Sequence, residues 1–231
     1  MRKVTVALLV SLLLAGCASS RTETADPLEG VNRKVYAFNE GLDMVLIKPL
    51  AKGYVYVTPG FVQTGVGNFF DNLFYPTVFM NQFLQGKVRT GTQDTGRFLI
   101  NTTLGIGGLF DVATQVGLKE NNEDFGQTFA VWGMGSGPYV VLPIFGPSTG
   151  RDAVGRVAGM FTNPLYYIED DETRYGLLGL ATIDARARLL KADELVTGDK
   201  YLFVRDAYLQ RRKHLINDGT APESDPFLDG K

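Results

Sequence analysis

Apolar residues recur at helical spacing along most of this chain. Between Leu28 and Val45 they fall at Leu28, Val31, Val35, Phe38 and Leu42, while Glu29, Asn32, Arg33 and Glu40 take other angles. That is the period of an amphipathic helix. Asp26-Pro27-Leu28-Glu29 supplies its start signal: Asp as N-cap, Pro in the first helical position and Glu two residues on. Pro49 interrupts the pattern, and residues 50–57 predict one more short helix before Pro59. Six aromatics crowd residues 69–83, interleaved with Asn72, Asn81 and Gln82 nearby. Two readings of this stretch stay open: a helix pair in a core, or an aromatic surface turned to lipid. Residues 89–104 predict a helix carrying small residues at Gly91, Thr95 and Thr102, which permit close helix approach. Gly105, Gly107 and Gly108 break it, and residues 109–116 predict a short turn or helix.

Residues 120–124 (E-N-N-E-D) read as a solvated acidic loop, since EF-hand spacing is absent. A further helix begins near Ser148-Thr-Gly-Arg-Asp152 and stops before Asn163-Pro164. Residues 173–192 place Leu180, Ile183, Ala187 and Leu190 on one face, and residues 200–216 do the same with Tyr201, Val204, Tyr208 and Leu215. Arg205, Arg211, Arg212 and Lys213 crowd the rest of that last helix, either complementing its C-terminal dipole or meeting anionic lipid. No set of alternating strands appears, so the pattern predicts an all-α fold over residues 27–217, with a polar tail at 218–231.

One stretch fits no helix. From Phe125 to Gly150 there are 26 residues without a charge, bounded by Asp124 and Arg151-Asp152. About 20 apolar residues would cross a bilayer as a helix, but Gly133, Gly135, Gly137, Pro138, Pro143 and Pro147 forbid one here. Such a segment belongs either in a core or at membrane depth against protein or a water-filled cavity.

The first residues read as an address. Met1-Arg-Lys is a short basic region, and residues 4–14 are an apolar run suited to a secretory signal and too short to span. The run ends in Leu14-Ala15-Gly16-Cys17, which resembles the bacterial lipobox. The expectation is a signal peptide over residues 1–16, acylation of Cys17, and a polar tether over residues 17–26. Each buried methylene contributes roughly 0.8 kcal/mol, so several acyl chains hold permanently. Ala18 rather than Asp after the cysteine implies export to the outer membrane.

Composition removes most chemistry. Cys17 and His214 are the only cysteine and histidine among 231 residues, which excludes an intrachain disulfide and a zinc, copper or iron–sulfur site of clustered Cys and His. The formal charge is −2, or −4 once Arg2 and Lys3 leave with the signal, and no basic stripe with aromatics marks a nucleic-acid partner. Met134 and Pro138 stand where a nucleophile elbow around Ser136 needs glycines. Neither Gly65-Val-Gly67 nor Gly105-Ile-Gly107 completes a dinucleotide loop, and there is no Walker A sequence. The expectation is no enzyme and no cofactor, with an enzyme of lipid metabolism as the minor reading. Glycine is the unusual count, 27 residues or about 12% against a norm of about 7%.

Several motifs then coincide in order. They are Asp26-Pro-Leu-Glu-Gly-Val-Asn-Arg33 with Phe38-Asn39, Phe69-x-Asn-Leu73 (read across residues 69–73) with Pro76, and Asn81-x-Phe-Leu-Gln-Gly86. Arg97-Phe-Leu-Ile-Asn-Thr102 follows with Gly105 and Asp111, then Phe125-Gly-Gln-Thr128, Gly133-x-Gly-x-Gly-Pro-Tyr139 and Leu142-Pro143. Gly146-Pro-Ser148, Arg151-Asp152 and Arg205-Asp-Ala-Tyr-x-Gln-Arg211 complete a set that resembles the MlaA (VacJ) outer-membrane lipoproteins.

The resemblance implies a single ring-shaped domain of amphipathic helices around a channel, inlaid in the outer membrane from the periplasmic side. It implies removal of mislocalised phospholipids from the outer leaflet, delivery to a periplasmic lipid carrier, and association with a trimeric porin. The alternative is a lipoprotein that scaffolds porins without moving lipid. By the same resemblance, residues 125–150 form a gating hairpin beside the channel mouth. Its residues are Phe125, Gly126, Trp132, Gly133, Gly135, Gly137, Pro138, Tyr139 and Pro143, with the glycines as hinges. Phe38, Asn39, Asn72 and Asn81 are expected channel or lipid contacts.

Overall fold

The fold is helical apart from one short hairpin, in a computed structural model that describes residues 26–220. Cys17, the signal segment 1–16, the tether before Asp26 and the tail from residue 221 lie outside the described residues.

Helix α1 (Glu29–Leu42) does not stop at Pro49. It passes through a π-helical turn, Asp43–Ile47, into α2 (Lys48–Val57). A proline inside a helix removes one donor and collides with the carbonyl four residues back. The wider turn avoids that collision: the Lys48 amide reaches the Asp43 carbonyl, five residues back, just before the proline. Arg186 holds the turn in place, its Nε 2.7 Å from Asp43 Oδ1, while also binding Asp193, which in turn pairs with Lys48 at 2.6 Å. The start is also displaced from expectation. Asp26 Oδ1 accepts from the Leu28 amide at 3.1 Å, and regular helix begins only at Glu29.

The aromatic stretch is one helix, α3 (Gly60–Leu84), which runs through Pro76 and packs against α4 (Val88–Thr103). A glycine turn leads to the single turn α5 (Val112–Gln115), capped by Asp111. The uncharged segment opens with α6 (Phe125–Val131), capped by Asp124, whose Oδ1 accepts from the Gln127 amide at 2.9 Å. Residues 132–138 form a loop. Strands β1 (Tyr139–Leu142) and β2 (Gly146–Thr149) then pair antiparallel, with Tyr139 opposite Thr149 and Leu142 opposite Gly146. Thr149 caps α7 (Gly150–Met160), followed by a 3-10 turn at Pro164–Tyr167. Helix α8 (Asp171–Arg188), a 3-10 turn at Leu190–Leu195, and α9 (Lys200–Ile216) finish the described chain.

The contacts between elements close a circuit. Helix α2 packs on α8, α8 on α3, α3 on α6, α6 on α9, α9 on β2, and β1 on α1. Inside and outside are reversed relative to an ordinary soluble domain. Among the described residues, eight apolar side chains are buried against fifteen polar or charged ones, while thirty-eight large apolar side chains stand exposed. Among the described residues, the one cluster of buried apolar side chains is Tyr139, Val141 and Tyr201, where the hairpin meets α1 and α9.

Candidate functional site: a chain of polar cavities inside an apolar exterior

Buried polar groups require hydrogen-bond partners, and several here find theirs far along the chain. Arg97 on α4 donates to Asp111 Oδ2 at 2.6 Å, to Thr114 Oγ1 at 2.8 Å and to the Leu118 carbonyl at 2.7 Å. Asn101 adds a bond to Asp111 Oδ1 at 3.1 Å. Burial alone would raise the Asp111 carboxyl, but hydrogen bonds from Thr114, Arg97 and Asn101 outweigh it and hold the group below the usual carboxylate range. One turn along, fully buried Asp94 accepts from the Tyr75 hydroxyl and from Asn121, both at 2.9 Å.

A second cluster surrounds Arg212 on α9. Its guanidinium binds Asp124 at the head of α6 and Asp152 in the first turn of α7, and Tyr208 donates to Asp152 Oδ2 at 2.7 Å. Burial raises the Tyr208 hydroxyl well above its usual range, and the neighbouring carboxylate adds to that. Helices α6 and α7 meet here backbone to backbone. A Cβ on Gly126 would lie 2.4 Å from Asp152 Oδ1, and one on Gly155 would lie 2.5 Å from the Gly126 nitrogen.

Four cavities thread these clusters, each sharing a wall with the next. One of about 300 Å³ lies between α3 and α8 beside Gln63, Thr64 and Arg188, and meets its neighbour at Asn68. That neighbour is only about 20 Å³, pinched between Asn72, Arg97, Asn101 and Asp111. At Glu120 it adjoins a cavity of about 460 Å³ lined by Gln82, Lys87, Asn121 and Glu123. Asn122 and Leu215 separate this from the last, about 280 Å³, lined by Asp124, Asp152, Arg156, Arg211 and Arg212. No group of three His, Cys, Asp or Glu side chains suited to a metal exists among the described residues.

The expected site residues fall in different places. Asn72 lines the pinch and donates to Thr102 Oγ1 at 2.9 Å. Asn81 borders none of these four cavities. It is buried and accepts from Thr128 Oγ1 at 2.6 Å, tying α3 to α6. Phe38 is exposed on α1. Asn39 clasps the hairpin turn, its Nδ2 2.9 Å from the Leu142 carbonyl and its Oδ1 2.8 Å from the Ile144 amide. Two turns earlier, Asn32 does the same for Tyr139 and Val141, at 3.0 and 2.9 Å.

The hairpin is shorter than the expected 125–150. Phe125 and Gly126 belong to α6, because Asp124 caps that segment and Gly126 locks it against α7. Phe125 also lines the last cavity. Trp132 is exposed, with its indole N–H donating to the Leu84 carbonyl at 3.1 Å. Gly133 and Gly137 take left-handed φ values of 91° and 67°, whereas Gly135 does not. Pro138 accepts from the Gly150 amide at 3.0 Å, Tyr139 is buried, and Pro143 sits in the hairpin turn. Asn32, Asp94, Arg97 and Arg156 were not among the expected site residues, although Asn32 and Arg97 stand in the motifs quoted above. Arg97 had a signal in its motif with Asp111, and Asn32 in its seven-residue spacing from Asn39 along one helix.

These features define a class: a helical protein that keeps polar groups and cavities inside and presents apolar side chains outside. Large exposed apolar areas mark surfaces that meet lipid or protein. No described helix is long and apolar enough to cross a membrane. The family model for the MlaA lipoprotein matches residues 24–215, and the chain belongs to that family. The intermembrane phospholipid transport system lipoprotein MlaA of Escherichia coli K12 is 39% identical, over 93% of this chain and 89% of its own. The protein of that same name in Haemophilus influenzae is 32% identical over 98% and 95%. An uncharacterized Rickettsia typhi protein is 40% identical over 83% and 78%. A solved structure described as the structural basis for maintenance of bacterial outer membrane lipid asymmetry superposes with a TM-score of 0.74. It shares 36% identity and covers 84% of this chain and all of that one.

Proposed function

We propose that this chain removes mislocalised phospholipids from the outer leaflet of the outer membrane and hands them to a soluble periplasmic carrier. It does so without catalysis, anchored through acylated Cys17 in the periplasmic leaflet and associated with a trimeric porin. The observation that carries this reading is the inverted distribution of polarity, with cavities lined by Asn, Asp and Arg inside and exposed Tyr56, Val57 and Phe61 outside. Exposing the roughly 30 methylenes of a phospholipid to water costs on the order of 20 kcal/mol. A transfer protein therefore keeps the tails against apolar surface and gives the headgroup a polar route. Downstream removal of product supplies direction, so no nucleotide site is needed. The pinch at Asn72 and Arg97 is where the route must widen, and the hairpin at residues 139–149 is the element proposed to gate it.

Two measurements test the proposal. Deleting the gene raises outer-leaflet phospholipid, and the wild-type chain restores asymmetry. In liposomes without porin, the purified protein passes labelled phospholipid to a soluble carrier, which a pure porin scaffold does not do. Unchanged asymmetry together with no transfer refutes the function, and released fatty acid in the same assay signals a lipase instead.

A further inference from the structure

Helices α3 and α8 flank the cavity of about 300 Å³, and one guanidinium spans the seam between them. Arg188, the last residue of α8, donates from Nη1 to Asp71 Oδ2 on α3 at 2.8 Å and from Nη2 to the Gly67 carbonyl at 3.5 Å. Among the described residues, these are the only hydrogen bonds between the two helices. On its own helix the same group binds buried Asp184, from Nε at 2.9 Å and from Nη2 at 2.7 Å. Gly67 makes the crossing possible: a Cβ there would lie 3.2 Å from Arg188 Cζ, so the guanidinium rests against bare backbone. The pair stands between two cavities. Arg188 lines the larger one, Asp71 lines the pinch of about 20 Å³, and both cavities touch Asn68, one turn before Asp71. The Asn68 side chain itself is committed elsewhere, donating to the Leu109 carbonyl at 3.2 Å.

Electrostatics favour this closed position. Asp71, Asp111 and Glu120 all line the pinch. Arg97 pairs with Asp111, and Asp71 has no ion-pair partner but Arg188 among the described residues. Burial first, and then the charge on Asp71, push the Glu120 carboxyl up, so a bare Asp71 would meet a like charge. The closed position is nevertheless shallow. Both side chains of the Arg188–Asp71 pair are 46% exposed, and exposed pairs are individually weak. Letting go of Asp71 leaves the guanidinium with Asp184, so no buried carboxylate loses its counter-charge. We propose that Arg188 is the latch of the pinch: bound to Asp71 it closes the α3–α8 seam and partitions the two cavities, and swung back onto Asp184 it joins them into one polar passage. This rests on the reading that the cavities carry lipid headgroups, and it adds the side chain that sets when the narrowest point is open.

The test uses Asp71→Asn, which removes the partner's charge, and Gly67→Ala, which pushes the guanidinium off α3. Both leave Arg188 with Asp184, whereas Arg188→Gln would strip that buried carboxylate and confuse release with damage. Asp71 is an exposed side chain, so Asp71→Asn carries the test even if Gly67→Ala folds poorly. Spin labels at Val62→Cys and Ala185→Cys, exposed positions of α3 and α8, report the width of the seam in the full Cys17→Ala chain in nonionic detergent. A longer distance should gain population roughly two- to fivefold in both variants, the range an exposed ion pair controls. Passage of labelled phospholipid from liposomes to a soluble carrier should quicken by a similar factor. Raising ionic strength from about 0.05 M to about 0.5 M should quicken the wild-type chain and leave Asp71→Asn flat, because screening weakens only the intact pair. An unchanged distance in both variants overturns the latch, and so does a widened seam with transfer at the wild-type rate; either result leaves lipid transfer itself standing. If the wild-type chain passes no lipid, the proposed function fails and the latch falls with it.

Discussion

Asp124 and Asp152, the acids that bracket the uncharged segment, converge on one nitrogen of Arg212, at 3.1 and 3.0 Å. The chain enters α6 at one carboxylate, passes through the hairpin, and enters α7 at the other, so a single side chain of α9 closes the segment at its base. Arg212→Met strips Asp124 of its counter-charge and leaves Asp152 with Arg151 and Tyr208 only, and should cost about 3 kcal/mol. Arg212→Lys should recover little, because an ammonium lacks the fork. Thermal melting in detergent checks both.

The hairpin's outer edge is held by two asparagines rather than by a third strand. Asn32→Ala strips partners from the buried Val141 amide and Tyr139 carbonyl and should cost about 1–3 kcal/mol locally. Asn39→Ala acts nearer solvent, at Ile144 and Leu142, and should cost less. Hydrogen exchange at the Val141 and Ile144 amides should speed roughly tenfold or more in Asn32→Ala and most in the double variant. If the hairpin gates lipid passage, a reversible Asn39→Cys/Ile144→Cys crosslink should raise outer-leaflet phospholipid until reductant is added.

Gly126→Ala and Gly155→Ala place a methyl inside occupied backbone and side-chain space, so both should fold poorly and melt lower by several degrees at least. Gly179 sits within α8 with nothing within 4 Å. Gly179→Ala should therefore stabilise by about 1 kcal/mol, the ordinary helix preference for alanine.

The pinch should be acid-labile. The folded-state carboxyl of Asp111 lies below its unfolded value, near 4. Its contribution is then fully present above about pH 4 and is lost as pH falls through the folded value. Asp111→Asn should lower stability at neutral pH and flatten the acid limb of the melting profile recorded from pH 7 downward.

The exposed apolar face should bind lipid without the acyl chains. With Cys17→Ala, the chain should still associate with phospholipid vesicles. Adding Phe61→Lys should weaken that association roughly tenfold or more, since burying one such aromatic contributes about 2 kcal/mol. Unaltered flotation with vesicles would remove Phe61 from the lipid-facing surface.

Helices were legible because their signals are local. Apolar spacing placed the last helix at residues 200–216, and it spans Lys200–Ile216. The prolines misled for the same reason. A local rule reads Pro49 as a break, whereas a π-helical turn anchored by Arg186, far along the chain, carries the helix through it.

The sequence by itself determined an α-helical chain, an uncharged segment unable to form one helix, and an ordered set of motifs sufficient to recognise the family. It did not determine which face of each helix points inward, since in lipid the polar stripe is the buried one and the period looks the same either way. Only the tertiary structure decided that Asn72 borders a cavity while Asn81 clamps two helices, and that Asn32 and Asn39 edge a strand. It also decided that Arg212 of α9 meets two acids and, with Arg211, lines a cavity. Those outcomes depend on partners brought together from distant parts of the chain, and no spacing within one helix encodes them.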